Sequence, residues 1–374
     1  MKKKLGSILV ALTMVMPLIL TGCSSTPKTE TKTETTTEAK AVAPVVVGFL
    51  YVGPVGDEGY TYSHDVGRKE LEKATGVKTL LKESVKEDLA EVEKACEEMI
   101  NQGANVIVGT SFGFMDGMEA SAAKHLDVKY LHASGYKSSV NMSNYFGRIY
   151  QARYLSGIVA GMKTKTNKIG YVAAFPIPEV IRGINAFTLG VQSVKPDAVV
   201  KVIWTNTWYD PTKEKQAGKA LVAAGVDVIA QHQDTAGPLQ AAEEAGISAI
   251  GYNTDMAAKA PKAYMTAPIW NWGPYYIEQI NAIKAGTWKS GSYWKGLESG
   301  IVKLAPLTAN APAGAAAVVE KVKADILSGK NKIFVGPITD QAGAVKVAKD
   351  VVMTDKELLE FNWFVKGVEG TIPK

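Results

Sequence analysis

Short apolar runs alternate with amphipathic stripes along the chain from residue 45 onward. The first run, VVVGFLYV, is rich in β-branched residues and lies between Pro44 and Gly53, which predicts a buried strand of a parallel sheet. A glycine-rich loop follows, and a helix is predicted to begin near Thr61, whose hydroxyl can cap it. The strand, the loop and the helix together form one α/β unit.

The same unit recurs in two series along the chain. In the first series, apolar runs predict further strands at 106–108 and 128–131. The second series predicts strands that begin at 169, 199, 226 and 247. Alternating strands and helices imply right-handed crossovers and parallel sheets. The predicted fold class is therefore α/β, with two Rossmann-like lobes and a cleft between them.

Polar and aromatic side chains follow the carboxyl ends of these predicted strands. Ligands of open α/β sheets bind outside the carboxyl ends of the strands, so we expect these side chains at the cleft. The candidate ligand-binding residues are Asp57, Tyr60, Tyr62, Ser111, Phe112, Trp208, Gln233, Asp234, Asp255, Trp270, Asn271 and Trp272. For the aromatic members of this set, core packing at the edge of a lobe is the alternative.

The types of these side chains favour a flat, neutral ligand. Aromatic rings on two facing lobes can clamp a flat heterocycle, and each stacked base contributes roughly 1 to 3 kcal/mol. Carboxylate, amide and hydroxyl groups then select a ligand by bonding its ring nitrogens, amines or hydroxyls. Arginine occurs at four positions and at none of these strand ends, which disfavours a phosphorylated ligand. Stacked aromatics with polar partners also suit a pyranose ring, so a sugar is an alternative ligand.

Residues 1–43 carry targeting features rather than a fold. Three lysines at positions 2–4 precede an apolar run that ends in the sequence LTGC at Cys23. This order is typical of a bacterial lipoprotein signal peptide at 1–22, with lipid attached to Cys23. A cleaved secretory signal with an incidental cysteine is the alternative. The segment 23–43 is rich in Thr, Lys and Glu and is predicted to be a disordered tether.

The remaining body, of about 330 residues, is longer than one hydrophobic core usually covers, which predicts two lobes. We expect lobe 1 to span 44–163, with a return segment from about residue 274. Lobe 2 is expected to span 164–273, with part of 300–374. The segment 292–312 has mixed signals and is assigned to neither lobe.

The net charge, the cysteine and the histidines limit which partners and cofactors we expect. Without lysines 2–4 the formal net charge falls from +5 to +2, since 39 basic residues then oppose 37 acidic ones, and a nucleic-acid partner is not expected. Cys96 lies in an apolar helical stripe and is predicted to be a small buried hydrophobe. The histidines show no metal-ligand spacing, and we expect no metal and no cofactor.

Four longer stretches carry a resemblance to a known family. They are GPVGDEGYTYSHDVGRKELE, AAFPIPEVIRGINAFTLG, the segment 208–234, and DMAAKAPKAYMTAPIWNWGPYY. Together they resemble the basic membrane protein (BMP) family of ABC-transporter substrate-binding lipoproteins, over nearly all of the chain after the signal. The resemblance implies a type I periplasmic-binding-protein fold, with two hinged lobes joined by three crossovers. It also implies a purine base or a purine nucleoside as ligand.

Partners and a mechanism follow from the same resemblance. The ligand would draw the hinge closed, because only the closed form satisfies contacts from both lobes. ABC permease subunits would take the ligand, and a separate ATPase would supply the energy. We expect a monomer on the outer face of the bacterial cytoplasmic membrane, anchored through lipid on Cys23.

Within the family, the choice between base and nucleoside stays open. Asp255 falls where the purine-nucleoside branch has an aspartate that holds the ligand. However, the loop at Tyr60 lacks the Ser, Phe, Asn run of that branch, and Trp270, Asn271 and Trp272 stand where a lysine is usual. The chain is closer to the branch associated with a free purine base, so an adenine-type ligand is favoured.

An enzyme alternative rests on the sequence GTSFG around Ser111. Its spacing matches a nucleophile elbow, and it follows a predicted strand and precedes a predicted helix. Asp210 and His232 follow in the order that a hydrolase triad would need, but both fall in the predicted second lobe. Because a hydrolase gathers its triad on one sheet, we expect a binding protein with no catalytic residues.

Overall fold

The structure is a computed structural model that describes residues 44–373. The predictions of a signal peptide at 1–22, a lipid on Cys23 and a disordered tether at 23–43 lie outside the described residues. Across the described range, none of the helices combines the length and the apolar character that a bilayer crossing requires.

The described residues form alternating strands and helices. The strands are β1 (Val46–Leu50), β2 (Lys78–Lys82), β3 (Val106–Gly109), β4 (Lys129–Ala133), β5 (Met142–Gly147), β6 (Lys168–Ala173), β7 (Val199–Trp204), β8 (Val228–His232), β9 (Ser248–Ile250), β10 (Tyr264–Thr266), β11 (Pro268–Trp270), β12 (Ser292–Lys295), β13 (Val302–Leu304), β14 (Ile338–Thr339), β15 (Val345–Val347) and β16 (Val368–Glu369). The helices are α1 (Tyr60–Thr75), α2 (Leu89–Asn101), α3 (Met115–Lys124), α4 (Tyr150–Lys163), α5 (Pro178–Gln192), α6 (Pro211–Ala223), α7 (Gly237–Glu244), α8 (Gly273–Lys284), α9 (Ala315–Leu327) and α10 (Asp355–Leu359).

Two parallel six-stranded sheets organise the chain, which confirms the predicted α/β class. The first sheet has the order β12-β5-β4-β3-β1-β2, and the second has the order β10-β9-β8-β6-β7-β16. Every pairing within these two sheets is parallel. We call each sheet with the helices packed on it the first lobe and the second lobe.

The chain crosses between the lobes three times. It leaves the first sheet after β5, returns between β10 and α8, and leaves again between β12 and β13. The second and third crossings run side by side, because β11 pairs antiparallel with β13. In the segment that the sequence left unassigned, β12 extends the first sheet by pairing with β5.

Helix α4, which the sequence analysis assigned to lobe 1, packs against α5 in the core of the second lobe. The two helix backbones approach closely at a reciprocal pair of glycines. A Cβ atom on Gly157 would lie 2.1 Å from the carbonyl oxygen of Phe187, and one on Gly190 would lie 2.1 Å from that of Tyr154. Only glycine leaves room for this approach.

The start of α1 differs from the prediction in its cap. The helix begins at Tyr60, and the side chain of Asp57 accepts hydrogen bonds from the backbone N–H groups of Gly59, Thr61 and Tyr62 at 2.8 to 2.9 Å. The Thr61 hydroxyl makes no hydrogen bond within the described residues, so the prediction that it caps the helix was wrong. A carboxylate with two acceptor oxygens satisfies more of the free N–H groups than a hydroxyl can. Cys96 is fully buried, as predicted.

We predict that Gly190→Ala lowers the unfolding free energy by about 2 kcal/mol, because the new methyl group overpacks the α4–α5 contact. Chemical denaturation measures the free energy of unfolding, and thermal melting provides a second comparison of stability. Gly291→Ala is the matched control, since a Cβ there meets no atom within 4 Å. Alanine otherwise favours a helix interior over glycine, so a stabilised Gly190→Ala protein would contradict the packing argument.

Candidate functional site

A small cavity lies between the facing strand ends of the two lobes. The first lobe contributes side chains that follow β1, β3 and β4, and the second lobe contributes side chains that follow or end β6, β7, β8 and β9. The lining residues are Val52, Tyr60, Ser111, Phe112, Ser134, Glu179, Trp208, His232, Asp234 and Tyr252. Its position matches the rule for open α/β sheets, whose ligands bind outside the carboxyl ends of the strands.

A second, larger cleft of about 810 Å³ adjoins this cavity. Phe112, Ser134 and Glu179 line both spaces and therefore form the boundary between them. At the other side of the cleft, the guanidinium of Arg148 donates two hydrogen bonds to the carboxylate of Asp355, at 2.8 and 2.6 Å.

Glu87 connects aromatic and polar cavity residues across the lobes. Its Oε2 accepts a hydrogen bond from the indole N–H of Trp208 in the second lobe, at 3.2 Å. Its Oε1 accepts bonds from the Ser111 hydroxyl and, at 3.1 Å, from the backbone N–H of Gly113, both in the first lobe. One carboxylate thus orients the Trp208 ring and the Ser111 hydroxyl together.

Other direct contacts hold the lobes against each other beside the cavity. The hydroxyl of Thr254 donates to the carbonyl oxygen of Glu58 at 2.6 Å, and Lys259 pairs with the Glu58 carboxylate at 2.5 Å. A Cβ atom on Gly59 would lie only 2.0 Å from the carbonyl oxygen of Asp234. The described arrangement is therefore one in which the two strand ends touch, and glycine at position 59 permits it.

Carboxyl groups are buried at this contact. Burial, followed by the charge of Asp57, raises the pKa of Asp234 well above its ordinary value, and Asp234 accepts a hydrogen bond from Asn253 at 3.0 Å. Burial also raises the pKa of Asp57 to about 6, against the lowering effect of its three backbone hydrogen bonds. Because those bonds occupy both oxygens, Asp57 serves the start of α1 and does not line the cavity.

Glu179 is the second acid at the cavity wall, in the first turn of α5. Burial raises its pKa to about 7, although the charges of Arg182 and Arg153 oppose the rise. Its Oε1 lies 3.4 Å from Nε2 of His232. Burial also places the pKa of His232 well below its usual range, so the imidazole is neutral near pH 7.

The sequence analysis missed several of these groups. Glu179 follows β6 through the loop with two prolines, so the strand-end rule could have included it. Arg153 lies within α4, and its guanidinium stands 3.7 Å from the Tyr252 ring centre while it donates to the carbonyl oxygen of Gln231 at 2.6 Å. No strand-end signal marks a residue inside a helix, so only the packing of α4 reveals Arg153.

The structure gathers part of the predicted set at the cavity: Tyr60, Ser111, Phe112, Trp208 and Asp234 line it. Gln233 is fully buried beside them and donates to the Thr205 hydroxyl at 2.5 Å. A separate surface groove of about 180 Å³ is lined by Tyr62, Asp255, Trp270, Asn271 and Trp272. Asp255 is exposed and accepts from the backbone N–H of Ala257 at 3.1 Å, and Asn271 donates to the carbonyl oxygen of Gly300 at 2.9 Å.

Trp270 and Trp272 are buried in the first lobe's core. Their rings stack on each other at 4.4 Å, and the Trp272 ring also stacks on His64 at 4.4 Å. The Trp270 indole donates to Asn253 Oδ1 at 3.0 Å, and that of Trp272 donates to the Ser63 hydroxyl at 3.1 Å. Protein groups therefore cover these rings at the second crossing.

The residues of the hydrolase alternative do not assemble as a triad. Ser111 and His232 both line the cavity, but the Ser111 hydroxyl donates to Glu87. Asp210 instead caps α6, where it accepts from the backbone N–H of Lys213 at 3.0 Å. Among residues 44–373, no group of three or more His, Cys, Asp or Glu side chains is placed to hold a metal ion.

Comparisons with known proteins place the chain among transport proteins. The sequence model of a family described as "ABC transporter substrate-binding protein PnrA-like" (Bmp) matches residues 44–339. A purine-binding protein of Brucella abortus (strain 2308) is 44% identical over 338 residues, which are 90% of this chain and 96% of that protein. A Haloferax volcanii protein, named as a candidate ABC transporter glucose-binding protein, is 37% identical over 88% of this chain and 81% of its own.

Solved structures agree in fold. A crystal structure of an ABC transporter solute-binding protein from Aeropyrum pernix K1 superposes with a TM-score of 0.68 at 20% identity. The superposition covers 85% of this chain and 98% of that one. This likeness confirms the predicted type I periplasmic-binding-protein architecture.

We predict that Glu179→Gln stabilises the ligand-free protein increasingly from pH 5 to pH 8. The pKa of Glu179 rises from 4.5 to about 7 on folding, so the folded state binds more protons between these values and loses stability as the pH rises. A glutamine does not titrate, and the stability difference between variant and wild type should grow by on the order of 2 kcal/mol. Denaturant unfolding at several pH values measures it.

Glu244→Gln is the control for this experiment. Bonds from Lys215 and Lys219 hold the pKa of Glu244 below its usual value, so it stays ionised in both states across this pH range. Its stability difference should therefore not change with pH. If the stability difference between Glu179→Gln and the wild type also stayed constant with pH, burial would not raise the pKa of Glu179.

Proposed function

The chain belongs to the Bmp family of PnrA-like ABC transporter substrate-binding proteins, and on this premise we propose that it captures a purine between its two lobes for import. The observation that carries the proposal is the cavity itself. It is small, it lies where the lobes meet, and it combines aromatic walls from both lobes with hydrogen-bonding acids.

The chemistry of the walls supports a purine. Tyr60 and Phe112 reach the cavity from the first lobe, and Trp208 and Tyr252 reach it from the second, so a flat ring meets aromatic side chains on both sides. A relative that is 44% identical is named for purine binding. The loop at Tyr60 and the turn from Trp270 to Trp272 depart from the nucleoside branch of the family, and on this ground we propose an adenine-type base as the ligand.

A sugar is the second candidate. The Haloferax volcanii relative, 37% identical, is named for glucose, and aromatic walls with acidic partners also suit a pyranose. The buried acids do not separate the two ligands, since each accepts hydrogen bonds from amines and from hydroxyls alike.

We propose that capture works by closure of the lobes over the ligand. The three crossings would act as the hinge, and the bonds of Glu87 to Trp208 and of Glu58 to Thr254 would form as the lobes meet. A ligand that contacts both walls favours the closed state by its differential affinity. The ligand is handed over unaltered outside the cytoplasm to permease subunits driven by a separate ATPase, while lipid on Cys23 keeps the monomer at the membrane.

We predict that the natively purified protein, once denatured, releases a purine. The released fraction should show strong ultraviolet absorbance and the mass of a purine base, because a tightly bound base survives purification. Mass spectrometry and an absorbance spectrum make the measurement. A released hexose would support the sugar alternative, and a ribosylated purine would replace the base by a nucleoside.

We predict that Trp208→Ala weakens adenine binding by about tenfold or more, since loss of one stacking face costs roughly 1 to 3 kcal/mol. Isothermal titration calorimetry measures the affinity. Trp288→Ala is the matched control, because that indole bonds Gln279 at 3.0 Å in the first lobe and does not line the cavity. Equal affinities for both variants would exclude Trp208 from the site.

A further inference from the structure

Glu179 stands out among the groups at the cavity because no group within residues 44–373 makes a short hydrogen bond to its carboxyl group. Its side chain is only 13% exposed, and its contact with His232 is long, at 3.4 Å. Asp57, by comparison, receives three backbone hydrogen bonds, and Asp234 receives one from Asn253. A buried carboxyl group without a full set of partners is costly, so a ligand is the natural source of the missing bonds.

The surroundings of Glu179 contain groups of both signs. The titratable or charged groups that face it are His232 on β8, Asp234 after β8, Arg153 on α4, Arg182 on its own helix, and the hydroxyls of Tyr60, Tyr171 and Tyr252. The guanidinium of Arg182 donates to the carbonyl oxygen of Leu358 at 2.6 Å, and that of Arg153 donates to Gln231. Both cations therefore oppose protonation of Glu179 from a distance without forming an ion pair with it.

A carboxyl group presents a different set of hydrogen-bond donors and acceptors in each protonation state. The neutral acid offers one O–H donor and one carbonyl acceptor, whereas the carboxylate offers acceptors only. Adenine places an amino donor next to a ring-nitrogen acceptor, and amide side chains bond this pair in a bidentate manner. A neutral carboxyl group has the same donor and acceptor arrangement as such an amide. Guanine instead presents two adjacent donors, its ring N–H and its amino group, which match a carboxylate.

From this geometry and chemistry we propose that Glu179, as the neutral acid, makes paired hydrogen bonds to the amino group and the neighbouring ring nitrogen of an adenine-type base. This inference rests on the proposed function and adds the group that determines which purine is selected. The acid proton stays on Glu179 and is shared with the ring nitrogen, while the second oxygen accepts from the amino group. No bond other than hydrogen bonds forms or breaks.

Adenine affinity then depends on the protonated fraction of Glu179. Burial raises its pKa to about 7, so the neutral acid predominates at pH 6 and is the minor form at pH 8. Since apparent affinity scales with the fraction of the competent form, it should fall about tenfold between these values. Binding at pH 8 should also take up close to one proton, visible as a dependence of the binding heat on the ionisation enthalpy of the buffer.

The test is isothermal titration calorimetry of adenine at pH 6 and pH 8, in two buffers, for wild type, Glu179→Gln and Asp234→Asn. Glu179→Gln keeps one donor and one acceptor, so it should bind adenine equally at both pH values without proton uptake. Asp234→Asn removes the other acid that lines the cavity and should retain the pH dependence of the wild type. The wild-type proton uptake needs no variant and tests the inference even if a variant folds poorly.

The outcomes separate the inference from the function on which it rests. Adenine binding by the wild type without proton uptake, or with a pH dependence that Glu179→Gln retains, overturns the role of Glu179 and leaves purine capture intact. Loss of the pH dependence in Asp234→Asn alone would assign the proton to Asp234 and overturn the inference in the same way. Failure of every purine to bind overturns the proposed function and the inference together.

Discussion

Carboxyl groups are buried at the contact between the lobes. The need to compensate for their loss of water is the physical constraint on which the rest of the structure depends. Asp57, Glu179 and Asp234 are all buried there, and burial raises the pKa of each one. An uncompensated buried charge is expensive, so each acid needs hydrogen bonds, a proton or both. The start of α1 satisfies Asp57, Asn253 partly satisfies Asp234, and Glu179 is left for whatever enters the cavity.

The same contact is connected to the crossings by a column of aromatic rings. The edge of Tyr60, at the cavity wall, packs on His64 at 4.5 Å, and His64 stacks on Trp272, which stacks on Trp270 in the second crossing. A Cβ atom on Gly147, where the first crossing begins, would lie 2.6 Å from the Trp270 ring. A continuous series of packed rings therefore connects the cavity wall with two of the crossings.

Glu87 and Glu58 show how polar contacts can make closure specific. Both are at least partly exposed, so each of their bonds contributes modestly in water. Their partners Trp208, Thr254 and Lys259 belong to the other lobe, and these bonds exist only when the strand ends meet. Modest bonds of this kind are compatible with the proposed closure, because they stabilise the contact between the lobes without locking it.

The alternation of apolar runs and helical stripes was enough to determine the α/β class, the parallel sheets and the cleft at the strand ends, because burial on both faces of a parallel sheet leaves a direct mark on local sequence. The same reasoning identified five residues that follow strand ends and line the cavity, namely Tyr60, Ser111, Phe112, Trp208 and Asp234. Tertiary structure alone decided that Trp270 and Trp272 pack at a crossing, that α4 belongs with α5, and that Arg153 packs on Tyr252 at the cavity wall. These outcomes depend on which helix face meets which partner over long separations in the chain, and local sequence carries no record of such contacts.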